Sequence, residues 1–315
     1  MKLEKLSNMP EPFGVRITDI PPIEEMTRSE WRELGQVALK HLVWTVGGQQ
    51  NLSKEKFCRM SYSWGKPQND PSKYQMFESY GDESKLSIRN IMRQTMYGKK
   101  LPGLSRISGI KNDDGEFIGM FPEGELNWHS NESAREKPTP VILLHAIEGT
   151  EGTQTQFLEN VTEYEKLSNH DQKFVDSLIC IYEWNDKHIL KTVEQASDIE
   201  KKIMELQILP KKGQTLKPLI ATSPGGHRGF SFNFYTFTKF ENKTEKESSE
   251  IIDWLKNILL KKENVYTHDW KTGDVVAFDQ IVTLHKRPIG DFSKRLLNKI
   301  ACNFDKIIKD YNENN

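Results

Sequence analysis

Two short segments of the chain carry residues whose types and spacing suit metal chemistry. The first contains His129 followed two positions later by Asn131, and the second contains His285 followed ten positions later by Arg295. A histidine, a carboxylate two residues on, a distant second histidine and a later arginine form the layout of a non-haem iron(II) site that uses 2-oxoglutarate. The layout is intact here except that Asn131 stands where the carboxylate belongs.

Asn131 leaves three alternatives open for the third metal ligand. An amide oxygen is neutral and a poorer ligand than a carboxylate, so metal binding should weaken if Asn131 itself ligates. Glu132 offers a carboxylate, but adjacent strand residues point to opposite faces, so its use would need a bulge. In the third alternative the position contributes no ligand at all.

The segments that must position these residues have the patterns of strands, with helices between them. Asp114-Gly115 between apolar runs is a hairpin signal, and alternation predicts an edge strand over residues 13–20. Further strands are predicted over residues 42–46, 105–110, 116–121, 141–147, 219–222, 230–238, 275–278 and 296–304. Helices are predicted after the capping-box threonines Thr27, Thr162 and Thr244 and after Ser53.

The helices cluster near the start and in crossover inserts, whereas the site motifs lie on strands. This arrangement predicts a mainly β fold, a double-stranded β-helix (jelly roll) core with flanking α-helices and helical inserts. No repeat or long linker divides the chain, and the two halves of the site must meet, so we expect a single domain spanning residues 1–315. The charged tail, residues 305–315, is expected to fray.

Composition narrows the partners and the compartment. The 315 residues carry a formal net charge of −1, so nothing indicates a nucleic acid or an anionic membrane as partner. No apolar stretch approaches the length of a membrane span. The widely spaced Cys58, Cys180 and Cys302 favour a reduced compartment, where they would be small core residues. We therefore expect a soluble, cytoplasmic protein that binds a small molecule, either as a monomer or as a homo-oligomer.

Motifs in order along the chain resemble those of the taurine dioxygenase / clavaminate synthase-like (TauD/TfdA) family of Fe(II)/2-oxoglutarate oxygenases. The resemblance covers residues 13–304. It rests on FGVRITDI, on HLVWTVGGQ followed by LSKEKFCRMSYSWGKP, on ISGIKNDDGEFIGMFPEGELNWHSN, on PVILLHAIEGTEGTQTQF, on WKTGDVVAFDQIVTLH and on KRLLNK. Taken in register these motifs are specific for fold and cofactor chemistry, and they do not define the substrate.

The resemblance implies roles for individual residues. His129, His285 and Asn131 would be the metal ligands. Arg295 would hold the distal carboxylate of 2-oxoglutarate, because a planar guanidinium makes two parallel hydrogen bonds to a carboxylate. Thr155 falls where the family places a hydroxyl near the same carboxylate. Lys299 falls where many relatives carry a second arginine, so it would add positive charge there or point to solvent.

Two further acidic residues lie near these motifs. The resemblance implies that Asp279, in the strand before the second histidine, is structural. Glu125, just before the first histidine, would face either the substrate or the solvent.

The family resemblance implies an enzyme that uses Fe(II), O2 and 2-oxoglutarate as co-substrate. The 2-oxoglutarate would become succinate and CO2 while a small polar molecule, such as an amino acid or a related metabolite, is hydroxylated. Because of Asn131, one alternative is a catalytically inactive or metal-altered jelly-roll binding protein. Another is a halogenase-type variant, in which chloride fills the vacant ligand position. We expect the determinants of the substrate in the variable loops 68–100 and 186–216.

Overall fold

Two sheets supply the strands that carry the predicted site. The structure is a computed structural model that describes residues 1–6, 9–10, 12–65, 97, 101, 103–131, 137–183, 214–234 and 237–313. In spatial order, the seven strands of the large sheet are β1 (Lys2–Lys5), β2 (Gly14–Thr18), β3 (Val43–Val46), β14 (Val275–Asp279), β6 (Val141–Glu148), β16 (Leu296–Cys302) and β4 (Ser105–Ser108). The small sheet consists of β13 (Val265–Asp269), β7 (Gln154–Glu159), β15 (Thr283–Arg287) and β5 (Leu126–His129).

The two faces of the large sheet have different partners, because successive side chains of a strand point to opposite sides. On β14, Val276 and Phe278 pack against Phe157 and Tyr266 of the small sheet. The intervening residues of β14 face the other way, where they join a core with helices α1 (Arg28–Lys40) and α2 (Lys54–Trp64). Every residue of β14 is buried as a result.

The outer face of the small sheet is covered by an insert, which comprises the described residues 160–183 and 214–264. Its helices are α3 (Thr162–Glu165), α4 (Asn169–Asp176) and α5 (Glu245–Leu259), followed by a short 3-10 turn (Lys262–Asn264). Its strands are β8 (Ile179–Glu183), β9 (Gln214–Pro218), β10 (Ile220–Thr222), β11 (Arg228–Phe230) and β12 (Phe237–Phe240). Leu158 and Leu284 of the small sheet pack into the apolar core of the insert with Leu255.

Asp279 shapes the turn that leads from β14 into β15. Its Oδ1 atom accepts hydrogen bonds from the backbone N–H groups of Ile281, at 2.7 Å, and Val282, at 3.0 Å. Burial raises the pKa of the Asp279 carboxyl group from 3.8 to about 7, against the opposing effect of these two donors. The side chain thus serves the fold, in agreement with the structural role expected for it.

Several predictions of local structure are confirmed. Capping boxes at Thr27 and Thr244 begin α1 and α5, and Ser53 caps α2. The Asp-Gly turn forms and is closed by a single antiparallel bridge between Lys111 and Phe117, although the strand predicted over residues 116–121 does not form. The three cysteines are buried thiols. Mainly β structure is also as predicted, and none of the helices in the described ranges has the length and apolar character to cross a membrane.

Other local predictions were wrong. Thr162 does not cap a helix: it is the first residue of α3, and the buried carboxylate of Glu159 accepts the N–H groups of Val161 and Thr162. The helix that follows, α4, is capped by Ser168. The segment at residues 230–238 is not one strand: Phe230 ends β11, Phe237 begins β12, and the described residues 231–234 between them form no strand.

The two ends of the chain also differ from expectation. β2 is not an edge strand, because β1 pairs with it in antiparallel register and takes the edge. The tail does not fray over its first nine residues: these form α6 (Asp305–Glu313), in which Ile307 is fully buried. The predicted variable loops at 68–100 and 186–216 lie almost entirely outside the described residues. The single-domain organisation stays a prediction.

We expect the substitution Asp279→Asn to remove a pH-dependent loss of stability. Because the folded-state pKa of about 7 lies above the ordinary value of 3.8, the contribution of Asp279 is fully present below pH 3.8 and is lost as pH rises through 7. Asparagine keeps an Oδ1 acceptor for both backbone donors and does not titrate. Urea unfolding at several pH values measures the free energy of unfolding of both proteins. The value for the variant minus that for the unsubstituted protein should rise by roughly 4 kcal/mol at most across this range. A difference that stays constant with pH would contradict the prediction.

Candidate metal centre and dicarboxylate pocket

The pairing of β15 with β5 brings the two predicted metal histidines together. His285 lies directly opposite His129 in the antiparallel register, and the centroids of the two rings are 4.1 Å apart. The ring of Phe278 on the large sheet packs against His285, with centroids 4.9 Å apart. Both imidazoles therefore point between the two sheets, into a pocket that they help to line.

A backbone hydrogen bond orients the ring of His129. Its Nδ1 atom lies 2.6 Å from the backbone carbonyl oxygen of Asn127. A carbonyl oxygen can only accept, so this contact favours the proton on Nδ1. Burial lowers the pKa of His129 to about 4, although backbone hydrogen bonds to Asn127 and His285 oppose this effect. The ring is therefore neutral at pH 7, the state in which an imidazole can ligate a metal.

His285 and Asn131 complete the group. Burial, followed by the nearby charges of His129 and Lys299, holds the pKa of His285 well below its ordinary value. The Nδ2 atom of Asn131 lies 3.4 Å from Nε2 of His285. Rotation of the Asn131 amide group places its oxygen there instead, because the two ends of an amide have nearly the same shape. Glu132, the other candidate for the third ligand, lies outside the described residues.

Arg295 is a buried cation in the same pocket. It precedes β16, is 1% exposed, and places its guanidinium 4.4 Å from the ring centroid of Phe292. Burial and the neighbouring charge of Arg287 lower the pKa of Arg295 to about 9. Its Nε atom is buried without a hydrogen-bond partner among the residues that the structure describes. A buried charge in this state is unfavourable, and an anionic ligand would relieve it.

Thr155 and Lys299 line the pocket with Arg295. Thr155 lies on β7, is 6% exposed, and accepts a hydrogen bond of 2.9 Å from the indole Nε1 of Trp270. Lys299 lies on β16 and is half-buried, and its charge contributes to lowering the pKa of both histidines. All six residues predicted for the site thus line one pocket, and their individual roles stay predictions.

Apolar side chains form most of the remaining pocket wall, and the described part of the wall contains no carboxylate. The residues that complete it are Ile107, Phe121, Leu126, Ile142, Leu144, Phe278, Lys286, Arg287 and Leu297. At the rim, Nζ of Lys286 lies 2.7 Å from Oε1 of Glu125, which is exposed. Of the two expectations for Glu125, the structure therefore supports the solvent-facing one.

Sequence reasoning missed two residues that support this site. Arg287 donates hydrogen bonds to the backbone carbonyl groups of Phe121 and Gly124, and so ties the chain before β5 to β15. Its position two residues after His285, hence on the same face of the strand, was an available signal. Asn233 of the insert donates from Nδ2 to the carbonyl oxygen of Ser130, at 3.1 Å. No sequence signal connects Asn233 to that turn.

Two sheets enclosing a pair of neutral histidines and a buried arginine define a jelly-roll oxygenase of the Fe(II)/2-oxoglutarate class. The chain belongs to the TauD/TfdA family: residues 4–300 match the model of the family described as "Taurine catabolism dioxygenase TauD, TfdA family". Dioxygenases of this family use Fe(II), 2-oxoglutarate and O2. The family resemblance seen in the sequence is thereby confirmed.

Two relatives illustrate how far sequence similarity extends. Pentalenolactone F synthase of Streptomyces arenae is 27% identical over 205 residues, which is 61% of this chain and 67% of that protein. The alpha-ketoglutarate-dependent 2,4-dichlorophenoxyacetate dioxygenase of Cupriavidus pinatubonensis is 23% identical over 305 residues, 94% of this chain and 96% of that one.

Solved structures confirm the predicted jelly-roll fold. A taurine dioxygenase from Burkholderia xenovorans matches with a TM-score of 0.67 at 19% identity, covering 96% of this chain and 88% of its own. AAD-2 in complex with Mn(II) and N-oxalylglycine matches with a TM-score of 0.68 at 18% identity, covering 96% of this chain and 97% of its own. At these identities the likeness concerns the fold alone.

We expect Asn233→Ala to weaken metal binding about tenfold, because the turn between the first histidine and Asn131 loses a supporting hydrogen bond. Isothermal titration calorimetry with Mn(II) measures the effect. Asn264→Ala is the matched control: Asn264 is equally buried and donates to the carbonyl groups of Ile258 and Leu259, which are not among the described residues that line the pocket. Equal Mn(II) affinities in the two variants would show that Asn233 serves only the stability of the insert.

Proposed function

We propose that this chain is an active Fe(II)/2-oxoglutarate-dependent dioxygenase that hydroxylates a small polar molecule, such as an amino acid or a related metabolite. In the reaction 2-oxoglutarate is converted to succinate and CO2. The observation that carries the proposal is the buried guanidinium of Arg295, which lines the same pocket as the two neutral histidines. Intact His129, His285 and Arg295 argue against a decayed site, because a chain that no longer needed the site would be expected to lose these residues as well.

The residues present fit an iron ion. Two neutral imidazoles are good nitrogen donors for Fe(II), and the depressed pKa values of His129 and His285 keep them neutral at pH 7. Asn131 lies beside Nε2 of His285 and would add an amide oxygen. When bound, iron supplies the activation of O2. The part of the protein is to hold the ion through these three side chains and to enclose it between two apolar sheets.

The pocket also fits a dicarboxylate. Arg295 would make two parallel hydrogen bonds to the distal carboxylate. Thr155 would donate a hydrogen bond from its hydroxyl to the same group, and Lys299 would add positive charge. The apolar side chains around them exclude water, which strengthens each of these electrostatic contacts.

The wall around the site suits a substrate of modest size. Ile107, Leu126 and Leu297 offer apolar contact, and Lys286 at the rim carries a positive charge that Glu125 and a substrate carboxylate would share. A carboxylate attached to a hydrocarbon body would match both, and amino acids and related metabolites have this chemistry. The 2,4-dichlorophenoxyacetate in the name of one sequence relative is also a carboxylate on an apolar body.

The main alternative is a metal-altered or inactive binding protein, and Asn131 is the observation that favours it. A halogenase-type variant requires an open position for the halide beside the metal. The side chain of Asn131 lies within 3.4 Å of the Nε2 atom of His285 and occupies that position. The structure therefore supports the halogenase alternative less than the other two.

The proposal is tested by adding Fe(II) and then 2-oxoglutarate to metal-free protein without oxygen. We expect the weak visible charge-transfer band of the chelated complex, and succinate after oxygen is admitted. Arg295→Ala should abolish the band, because the distal carboxylate loses its bidentate partner. Arg228→Ala is the control, since Arg228 pairs with Asp176 on the insert surface. If the folded, unsubstituted protein gives no band, the dioxygenase assignment is wrong.

Asn131→Asp should bind Fe(II) more tightly, by about tenfold or more, since it restores a negatively charged oxygen donor at the metal. In an enzyme that relies on Asn131, the substitution should also change the rate of succinate formation. Asn127→Asp adds the same charge at an exposed side chain near the site and serves as control. Tighter metal binding without succinate formation in either protein would favour the binding-protein alternative.

A further inference from the structure

Trp270 makes a buried contact with the pocket that the proposed reaction does not yet explain. It follows β13 directly and is 1% exposed. Its indole Nε1 donates a hydrogen bond of 2.9 Å to Oγ1 of Thr155. Thr155 itself lines the pocket beside Arg295. Trp270 is not among the described residues that line the pocket, and its hydrogen bond reaches the pocket through the hydroxyl group of Thr155.

This hydrogen bond restricts what the Thr155 hydroxyl can do. A hydroxyl group has one proton to donate and two lone pairs that accept, whereas an indole N–H can only donate. Because the N–H of Trp270 donates to a lone pair of the Thr155 hydroxyl group, the hydroxyl proton points in another direction. No other hydrogen bond to this hydroxyl exists within the described part of the chain. The hydroxyl group is thus held as a donor toward the pocket.

Neighbouring groups hold the Trp270 ring in place. The ring of His268 meets it edge to face, with centroids 4.5 Å apart, and the backbone N–H of Trp270 donates to the carbonyl of Thr153 at 3.1 Å. His268 in turn lies between Tyr266, whose hydroxyl is 3.2 Å from Nδ1, and Asp274, whose Oδ2 is 3.1 Å from Nε2. Because His268 is held from both sides, its edge-to-face contact helps to fix the ring of Trp270 and the direction of the indole N–H group.

We propose that Trp270 is a positioning residue for the dicarboxylate. It orients the Thr155 hydroxyl as a donor to the carboxylate that Arg295 holds, and so raises the affinity for 2-oxoglutarate without touching it. This inference rests on the proposed function, because it requires a dicarboxylate in the pocket. It predicts that removing the indole N–H lowers the affinity for the dicarboxylate only in protein that retains the Thr155 hydroxyl group.

The test is a double-mutant cycle on Mn(II)-loaded protein, titrated with N-oxalylglycine as the dicarboxylate. We expect Trp270→Phe to weaken binding about fivefold and Thr155→Val about tenfold, the range of a hydrogen bond to a charged group. The double variant should be no weaker than Thr155→Val alone, because the indole acts through the hydroxyl group. Thr155→Ser should restore affinity, and the Mn(II) affinity should not change.

Trp44→Phe is the matched control. Trp44 is also fully buried, but its Nε1 has no hydrogen-bond partner among the described residues. Its substitution removes a similar volume from the core and no hydrogen bond. If Trp270→Phe and Trp44→Phe bind N-oxalylglycine equally well, the positioning role is wrong, whatever both substitutions do to stability.

A measurement without substitution of Trp270 covers the case in which that variant does not fold. In Zn(II)-loaded protein labelled with 15N, the indole resonance of Trp270 is identified by its shift in Thr155→Val. Saturation with N-oxalylglycine should move the same resonance in the unsubstituted protein, and a resonance that stays in place overturns the inference. The two proposals fail differently: if N-oxalylglycine does not bind the unsubstituted protein at all, the proposed function falls first.

Discussion

The burial of the Arg295 guanidinium is the constraint on which the pocket depends. A cation removed from water is costly unless an anion meets it, and the pKa of about 9 reflects that cost. Phe292 offers the face of its ring to Arg295 and to Arg287, at 4.4 and 4.2 Å. Arg287 is tied to backbone carbonyl groups and stiffens the wall. Arg287 thus holds the pocket wall, whereas the Nε atom of Arg295 has no hydrogen-bond partner among the described residues.

Strand geometry explains how such distant residues meet. The turn fixed by Asp279 reverses the chain from the large sheet into the small one, and the period of two then directs His285 and Arg287 to the same side. Leu284, the residue before His285, points outward into the core of the insert. The small sheet is therefore buried on both faces, and the insert is more than decoration. Through Asn233 it also reaches the turn after His129.

Local signals and long-range contacts differ in how well the sequence predicts them. The capping boxes at Thr27 and Thr244 are local, and both formed, but Thr162 became the first residue of α3, and Glu159 accepts the N–H groups at the start of that helix. The sequence analysis did not predict α6, because the many charged residues of this segment indicated a frayed tail and obscured its single apolar face. The site residues were found through motif spacing. The contact between Trp270 and Thr155, 115 positions apart, requires the register of β13 on β7, which no short motif reveals.

Asn131 changes which partner supplies negative charge to the centre. With a carboxylate there, the protein would neutralise part of the metal charge before any co-substrate arrives. With an amide, beside two neutral imidazoles, that charge has to come from the ligand. The metal ion and Arg295 then attract the same dicarboxylate from its two ends. In the proposed site the dicarboxylate would supply the negative charge that the metal lacks, so each would raise the affinity for the other, by the same factor because coupling between two sites is reciprocal. A weak third ligand is therefore compatible with a site that assembles fully only when both are present.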